Sequence, residues 1–172
     1  MLQQPRAWRI CALAAAVGIP ACGGAPEGQG PGAPAGAGRV ELGAGLVEFV
    51  PLPPEGGEIE IVSGPQGGFH VQVTARLFDL DPDGVTLVYE ARDRASGATL
   101  NLPARYAISE ERVIDGGDHH VRVGDRLVLD VGSAGEVAGV GVELSLSAER
   151  GGAALATDAR AATLVDAVDE LR

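Results

Sequence analysis

The chain has no lysine, only two cysteines and few aromatic residues, and each shortage excludes something. All 13 of its positive side chains are arginines, set against 24 Asp and Glu, which gives a net charge of −11. Nucleic-acid binding depends on clustered Lys and Arg that neutralise phosphates, so no nucleic-acid partner is expected. Aromatic residues are 3 % of the chain, so a core must be built mainly from Val, Leu and Ile, and platforms on which a sugar ring stacks are scarce. Only Ile10 to Ile19 forms a long apolar run, about half of the roughly 20 residues a membrane-crossing helix needs. At 172 residues there is room for one ordinary domain plus appendages.

The first appendage is an export signal over residues 1–21. Arg6 and Arg9 give a positive start, the apolar run follows, and Pro20-Ala21 closes it with a small-residue end. Ile19-Pro20-Ala21-Cys22 resembles the bacterial lipobox. That resemblance implies diacylglyceryl transfer to the Cys22 thiol, cleavage after Ala21 and acylation of the new amino terminus. An ordinary secretory peptide cut near Ala21 is the plainer alternative. The cysteine count favours lipidation. Cys11 is lost on cleavage, so Cys22 remains alone, no internal disulfide forms, and a thioether to lipid accounts for an otherwise free exported thiol. Two or three acyl chains hold a protein on a membrane far better than one. Gly23, rather than Asp, follows the cysteine, which in proteobacterial lipoproteins implies the outer membrane.

Residues 22–38 are the lipidated cysteine and a Gly/Pro/Ala spacer with one charge and no large apolar side chain after the cysteine. Such a stretch buries too little to offset its ordering entropy and is expected to be disordered, with a mean reach of about 20–25 Å. From Arg39 short alternating runs take over. Val71, Val73, Ala75 and Leu77 share one face of Phe69–Leu80, with His70, Gln72, Thr74 and Arg76 on the other. Further strands are expected in Val85–Glu90, Thr99–Leu102, His120–Val123, Arg126–Val131 and Val137–Ser147, with a turn at Gly124-Asp125. Seven to nine short strands in series predict an all-β fold, an antiparallel sandwich over residues 39–150. Residues 104–115 read either as a strand or as a loop with a helical turn. For residues 151–172 the recurrence of Ala161, Leu164, Val165, Val168 and Leu171 predicts a short amphipathic helix over 158–171.

Motifs for chemistry are few. Asp79-Leu80-Asp81-Pro82-Asp83-Gly84, with Glu90 in twelfth place, matches the calcium-loop pattern. Calcium needs the loop to curl back onto the ion, whereas Val85–Tyr89 reads as a strand that carries Glu90 about 20 Å away. A hairpin turn with acidic edges is the plainer reading, and a weak calcium site on Asp79, Asp81 and Asp83 is the lesser one. His70, His119 and His120 are the only imidazoles, and adjacent strand residues point to opposite faces. A metal-dependent envelope hydrolase would need His70, His119 and an acid in one cleft. No G-x-S-x-G, phosphate-cradling loop, H-E-x-x-H or Cys/His pairing occurs, so neither an enzyme nor a cofactor is expected. The glycines of Gly64–Gly68 suit a tight turn, and as an anion nest they lack a basic neighbour in sequence.

Four blocks over roughly residues 45–131 are similar to lipoproteins of myxobacteria and related lineages. They are Phe49-Val50-Pro51-Leu52, Ile61-Val62-Ser63-Gly64-Pro65-Gln66-Gly67-Gly68-Phe69-His70-Val71, Leu80-Asp81-Pro82 and Val123-Gly124-Asp125-Arg126. The GPQGG-x-H core is the distinctive part. The resemblance carries no activity. It implies an Ig-like or fibronectin-type sandwich on a lipid anchor, and a helical tail departs from the group. The expected protein is a lipid-anchored binding or structural module of the cell envelope, on the outer membrane, that engages a protein or glycan. Gln66, Gly67, Gly68 and His70 are its candidate binding loop.

Overall fold

The computed structural model describes residues 38–65 and 67–166. The signal segment, Cys22, almost all of the spacer, Gln66 and residues 167–172 lie outside the described residues. The fold is all-β, as the alternation predicts, and its only helical pieces among the described residues are single 3₁₀ turns at Glu110–Arg112 and Ala134–Glu136. The strands are β1 (Arg39–Ala44), β2 (Val50–Pro51), β3 (Gly57–Ser63), β4 (Phe69–Phe78), β5 (Val85–Asp93), β6 (Ala104–Ala107), β7 (Ile114–Asp115), β8 (His120–Leu129), β9 (Gly141–Arg150) and β10 (Ala153–Asp166).

They form two sheets. Sheet A runs β2-β1-β4-β8-β7, and sheet B runs β3-β10-β9-β5-β6. All these pairings are antiparallel except the parallel alignment of β3 with β10. In chain order, β1, β4, β8 and β7 take the A, B, E and D places of an immunoglobulin-like sandwich, and β10, β9, β5 and β6 take G, F, C and C′. The sheets are also joined at both sides. The end of β3 turns from β10 onto β4 through Val62↔His70, and the segment after β5 turns from Arg92↔Thr99 onto β8 through Asn101↔Leu129. The result is one curled sheet around a single core.

That core is aliphatic, as the aromatic shortage requires. Val71, Val73, Ala75 and Leu77 of β4 face Val85, Leu87, Tyr89 and Ala91 of β5 and Val142, Leu144, Leu146 and Ala148 of β9. Tyr89 is its one aromatic. The three phenylalanines stay outside the fully buried set, and two of them carry arginines: Arg39 lies 3.6 Å from the Phe78 ring centroid and Arg76 lies 4.1 Å from that of Phe49.

Four expectations change. Thr99–Leu102 forms only isolated bridges and no strand. The segment predicted to be helical over 158–171 is β10 as far as Asp166, and the sandwich runs past 150 to include it. Gly151 and Gly152 both have positive φ, +60° and +84°, and join Arg150 to Ala153 in a two-residue hairpin. Such a turn fixes an antiparallel return strand and overrides the helix preference of the alanines that follow. The segment expected as His120–Val123, a Gly124-Asp125 turn and Arg126–Val131 is one strand with a bulge. Val73 pairs with Asp125 and Ala75 with Arg122, so Val123 and Gly124 together stand opposite Thr74. The open choice for 104–115 resolves into both elements, a strand and a 3₁₀ turn.

Candidate functional site

A groove of about 690 Å³ lies on the outer face of sheet B. Outward residues alternate with core residues along each strand, so the groove is built of cross-strand rows. One row runs Arg105, Val88, Ser147, Thr157, and the next runs Glu90, Ser145, Ala159. Small side chains in the middle of both rows hollow out the floor, and Thr99, Asn101 and Pro103 raise one wall. Asn101 is fixed by its own bonds. Its Oδ1 accepts the Ala91 N–H at 2.7 Å and its Nδ2 donates to the Leu102 carbonyl at 2.7 Å. Two ion pairs border the floor. Arg92 holds Glu90 through both Nε and Nη2 at 2.8 Å, with the Thr99 hydroxyl donating to the same carboxylate, and Arg105 pairs with Glu149 at 2.6 Å. The hydroxyls of Ser145, Ser147 and Thr157 have no side-chain partner among the described residues.

Behind this face lies a polar network that the alternation does not announce. The β8 bulge puts Arg122 and Asp125, three apart, on the same inward side. Arg122 Nε and Nη2 donate to Asp125 Oδ1 at 2.9 and 2.6 Å, and the Tyr89 hydroxyl donates to Oδ2 at 3.2 Å. Asp125 is 1 % exposed, so its charge depends on these donors. The hydrogen bonds to Asp125 hold the Arg122 guanidinium above its usual pKa. Burial raises the Tyr89 phenol well above 10, and the neighbouring Asp125 carboxylate raises it further. Tyr106 packs edge-on to Tyr89 at 6.0 Å and bonds the Arg126 carbonyl, tying β6 to β8. The network ties the two sheets together. Its sequence signal is the glycine inside a strand at Gly124, a mark of a bulge.

The residues expected to carry function are scattered. Cys22 and Gln66 lie outside the described residues. Gly64 and Gly68 close the β3–β4 turn through Gly64 N–H to the Gly68 carbonyl at 2.7 Å, and exposed Gly67 donates back to the Gly64 carbonyl at 3.0 Å. His70 is only 7 % exposed, and its Nε2 is hydrogen-bonded to the Gln72 side-chain amide at 3.0 Å. Burial is the main cause of its lowered pKa, and the Arg126 charge adds to it.

The calcium-loop residues are held in other ways. Asp81 Oδ1 accepts the Asp83 N–H at 3.0 Å and Asp83 Oδ1 accepts the Glu110 N–H at 2.9 Å. Arg150 Nη2 donates to the Asp81 and Asp83 carbonyls at 2.7 and 3.1 Å, which sets a positive charge against this turn. Glu90, the twelfth residue of the pattern, is committed to Arg92 on the groove face. Among the described residues no three His, Cys, Asp or Glu side chains come together as a metal site.

The three histidines are also apart. His70 pairs with Val128 and His120 with Leu77 on opposite ends of β4, about 23 Å apart at 3.3 Å per residue. His119 stacks on Phe78 at 5.1 Å and holds Asp118 at 2.6 Å. The cleft a metal-dependent hydrolase would need is therefore not formed by these residues. No protein-family model matches the chain, and no curated protein matches it.

Proposed function

We propose that this protein is a lipid-anchored, non-catalytic binding module of the cell envelope, held on the outer membrane through Cys22 and its spacer, with the sheet B groove as its main ligand surface. The lipobox-like Ile19-Pro20-Ala21-Cys22 and the similarity of the GPQGG-x-H block to lipoproteins support the anchor. The observation that carries the binding role is the groove itself: a hollow of about 690 Å³ with unpartnered hydroxyls on its floor and fixed ion pairs at its edges. Ligand sites are concave, with a few well-placed polar groups that set orientation. The shortage of aromatic platforms favours a protein partner over a glycan.

The test has two arms. Cys22→Ser should leave the membrane fraction, and mass spectrometry should find acyl chains on the native residue. A Cys22→Ser chain that sediments like the native one removes the anchor. Ser147→Arg fills the groove floor and should remove partners captured by photo-crosslinking on native membranes. An unchanged set of crosslinks removes the groove.

A further inference from the structure

We propose that the cleft around Arg126 and His70, at the Gly64–Gly68 end of sheet A, is an oxyanion-binding site that takes a carboxylate or phosphate group of a small ligand. It borders the groove of sheet B, sharing Pro103, Ala104 and Arg105 with it, but its anion-binding groups are its own. Two hollows meet at Arg126: one of about 280 Å³ against Gly64, Gly68 and His70, and one of about 260 Å³ against Leu102 and Tyr106. Arg126 and Val128 line both. The chain carries 24 carboxylate side chains, yet none lines either hollow.

Arg126 itself is exposed and has no ion-pair partner among the described residues, whereas the guanidinium groups of Arg39, Arg76, Arg92, Arg105, Arg122 and Arg160 all lie against acids. Its planar fork matches the two oxygens of a carboxylate or phosphate. The register fixes the neighbours. Gln72 stands opposite Arg126 and His70 opposite Val128, so Arg126 and His70 are diagonal neighbours on one outer face. The glycine turn closes over them: a Cβ on Gly64 would meet the Gly68 carbonyl at 3.4 Å and His70 Nδ1 at 3.9 Å. The basic residue missing beside these glycines in sequence is thus supplied by β8. Exposed Leu102 and Val128 offer an apolar shelf for the body of the ligand.

The test is an NMR titration of the 172-residue chain with inorganic phosphate and, separately, with acetate, at ionic strength matched with chloride. Saturable shifts are expected at Arg126 Nε, Gly64, Gly68 and His70, and the tighter-binding anion tells a phosphate ligand from a carboxylate one. Arg126→Gln should weaken binding by about tenfold or more, with Arg126→Lys intermediate. Val128→Glu, which sets a carboxylate beside an intact Arg126, should cause a similar loss and serves if Arg126→Gln does not fold. Linear shifts that chloride reproduces, or unchanged affinity in folded Arg126→Gln or Val128→Glu, would overturn the site.

Discussion

Replacing Asp125 by Ala tests whether the buried network fastens the two sheets together. The carboxylate is 1 % exposed and accepts three bonds, two from Arg122 at 2.9 and 2.6 Å and one from Tyr89 at 3.2 Å. Its removal leaves the Tyr89 hydroxyl buried without an acceptor, a cost of about 1–3 kcal/mol. It also leaves a guanidinium whose side chain is 23 % exposed, and which keeps its bond to the Arg112 carbonyl at 3.0 Å. Breaking a buried ion pair costs about 3–5 kcal/mol, and partial access to water puts this case at the lower end, about 3 kcal/mol. Against a typical total of about 5–15 kcal/mol that is a large fraction, and in a domain of this size it lowers Tm by roughly 10 °C.

Urea and thermal unfolding followed by circular dichroism measure it. Two further variants separate the parts. Tyr89→Phe should cost about 1 kcal/mol, since it removes one neutral donor and leaves the ion pair. Asp125→Leu combined with Arg122→Met should recover much of the loss, because no unpaired charge remains. If Asp125→Ala falls within about 0.5 kcal/mol of the native chain, as a surface substitution would, the network does not hold the sheets and the reasoning fails.

Two other expectations follow from single residues. The His70 pKa is lowered in the fold, so below the ordinary value of about 6.5 the unfolded chain binds more protons than the native one. The stability due to a neutral His70 is full above that pH and is lost as pH falls through the window beneath it. The urea midpoint should drop between pH 7.5 and 5 by more in the native chain than in His70→Gln, and equal drops would rule out this linkage. Gly152 has φ +84° with nothing within 4 Å of where a Cβ would stand, so Gly152→Ala meets no clash and pays only for the left-handed backbone. It should cost about 1 kcal/mol in the same unfolding assay and Gly152→Asn less. A neutral Gly152→Ala would show that the hairpin does not fix β10.

The fold class was legible in the sequence because β4, β5 and β9 alternate, and Val71, Val73, Ala75 and Leu77, expected to share one face of β4, are its inward residues. Two features escaped for one reason: in each, a glycine changes how the following residues must be counted. At Gly151-Gly152 a helical count of Ala161, Leu164 and Val165 looked sound, but a two-residue turn with positive φ sets the return strand. Period two then places Asp158, Ala162 and Leu164 on the inner side. Asp158 Oδ2 accepts the Leu42 N–H at 2.8 Å and closes the seam between β1 and β10. At Gly124 the bulge shifts the alternation by one, so Arg122 and Asp125, which an unbroken strand would send to opposite faces, meet inside.

The Gly151-Gly152 turn and the Gly124 bulge also set where the two candidate surfaces sit. The hairpin returns an alanine-rich strand beside β9, and the small outward residue Ala159 deepens the sheet B groove along with Ser145 and Ser147. The bulge resets β8 so that Arg126 falls on the outer face opposite Gln72, clear of the acids that neutralise other arginines of this chain. Without that one-residue shift Arg126 would point into the aliphatic core and Leu127 to solvent. Both candidate surfaces therefore depend on pairings between strands far apart in sequence. That is why local motifs were silent about the sheet B groove and gave only the glycine-turn side of the Arg126 cleft, while the alternation of β4 could be read residue by residue.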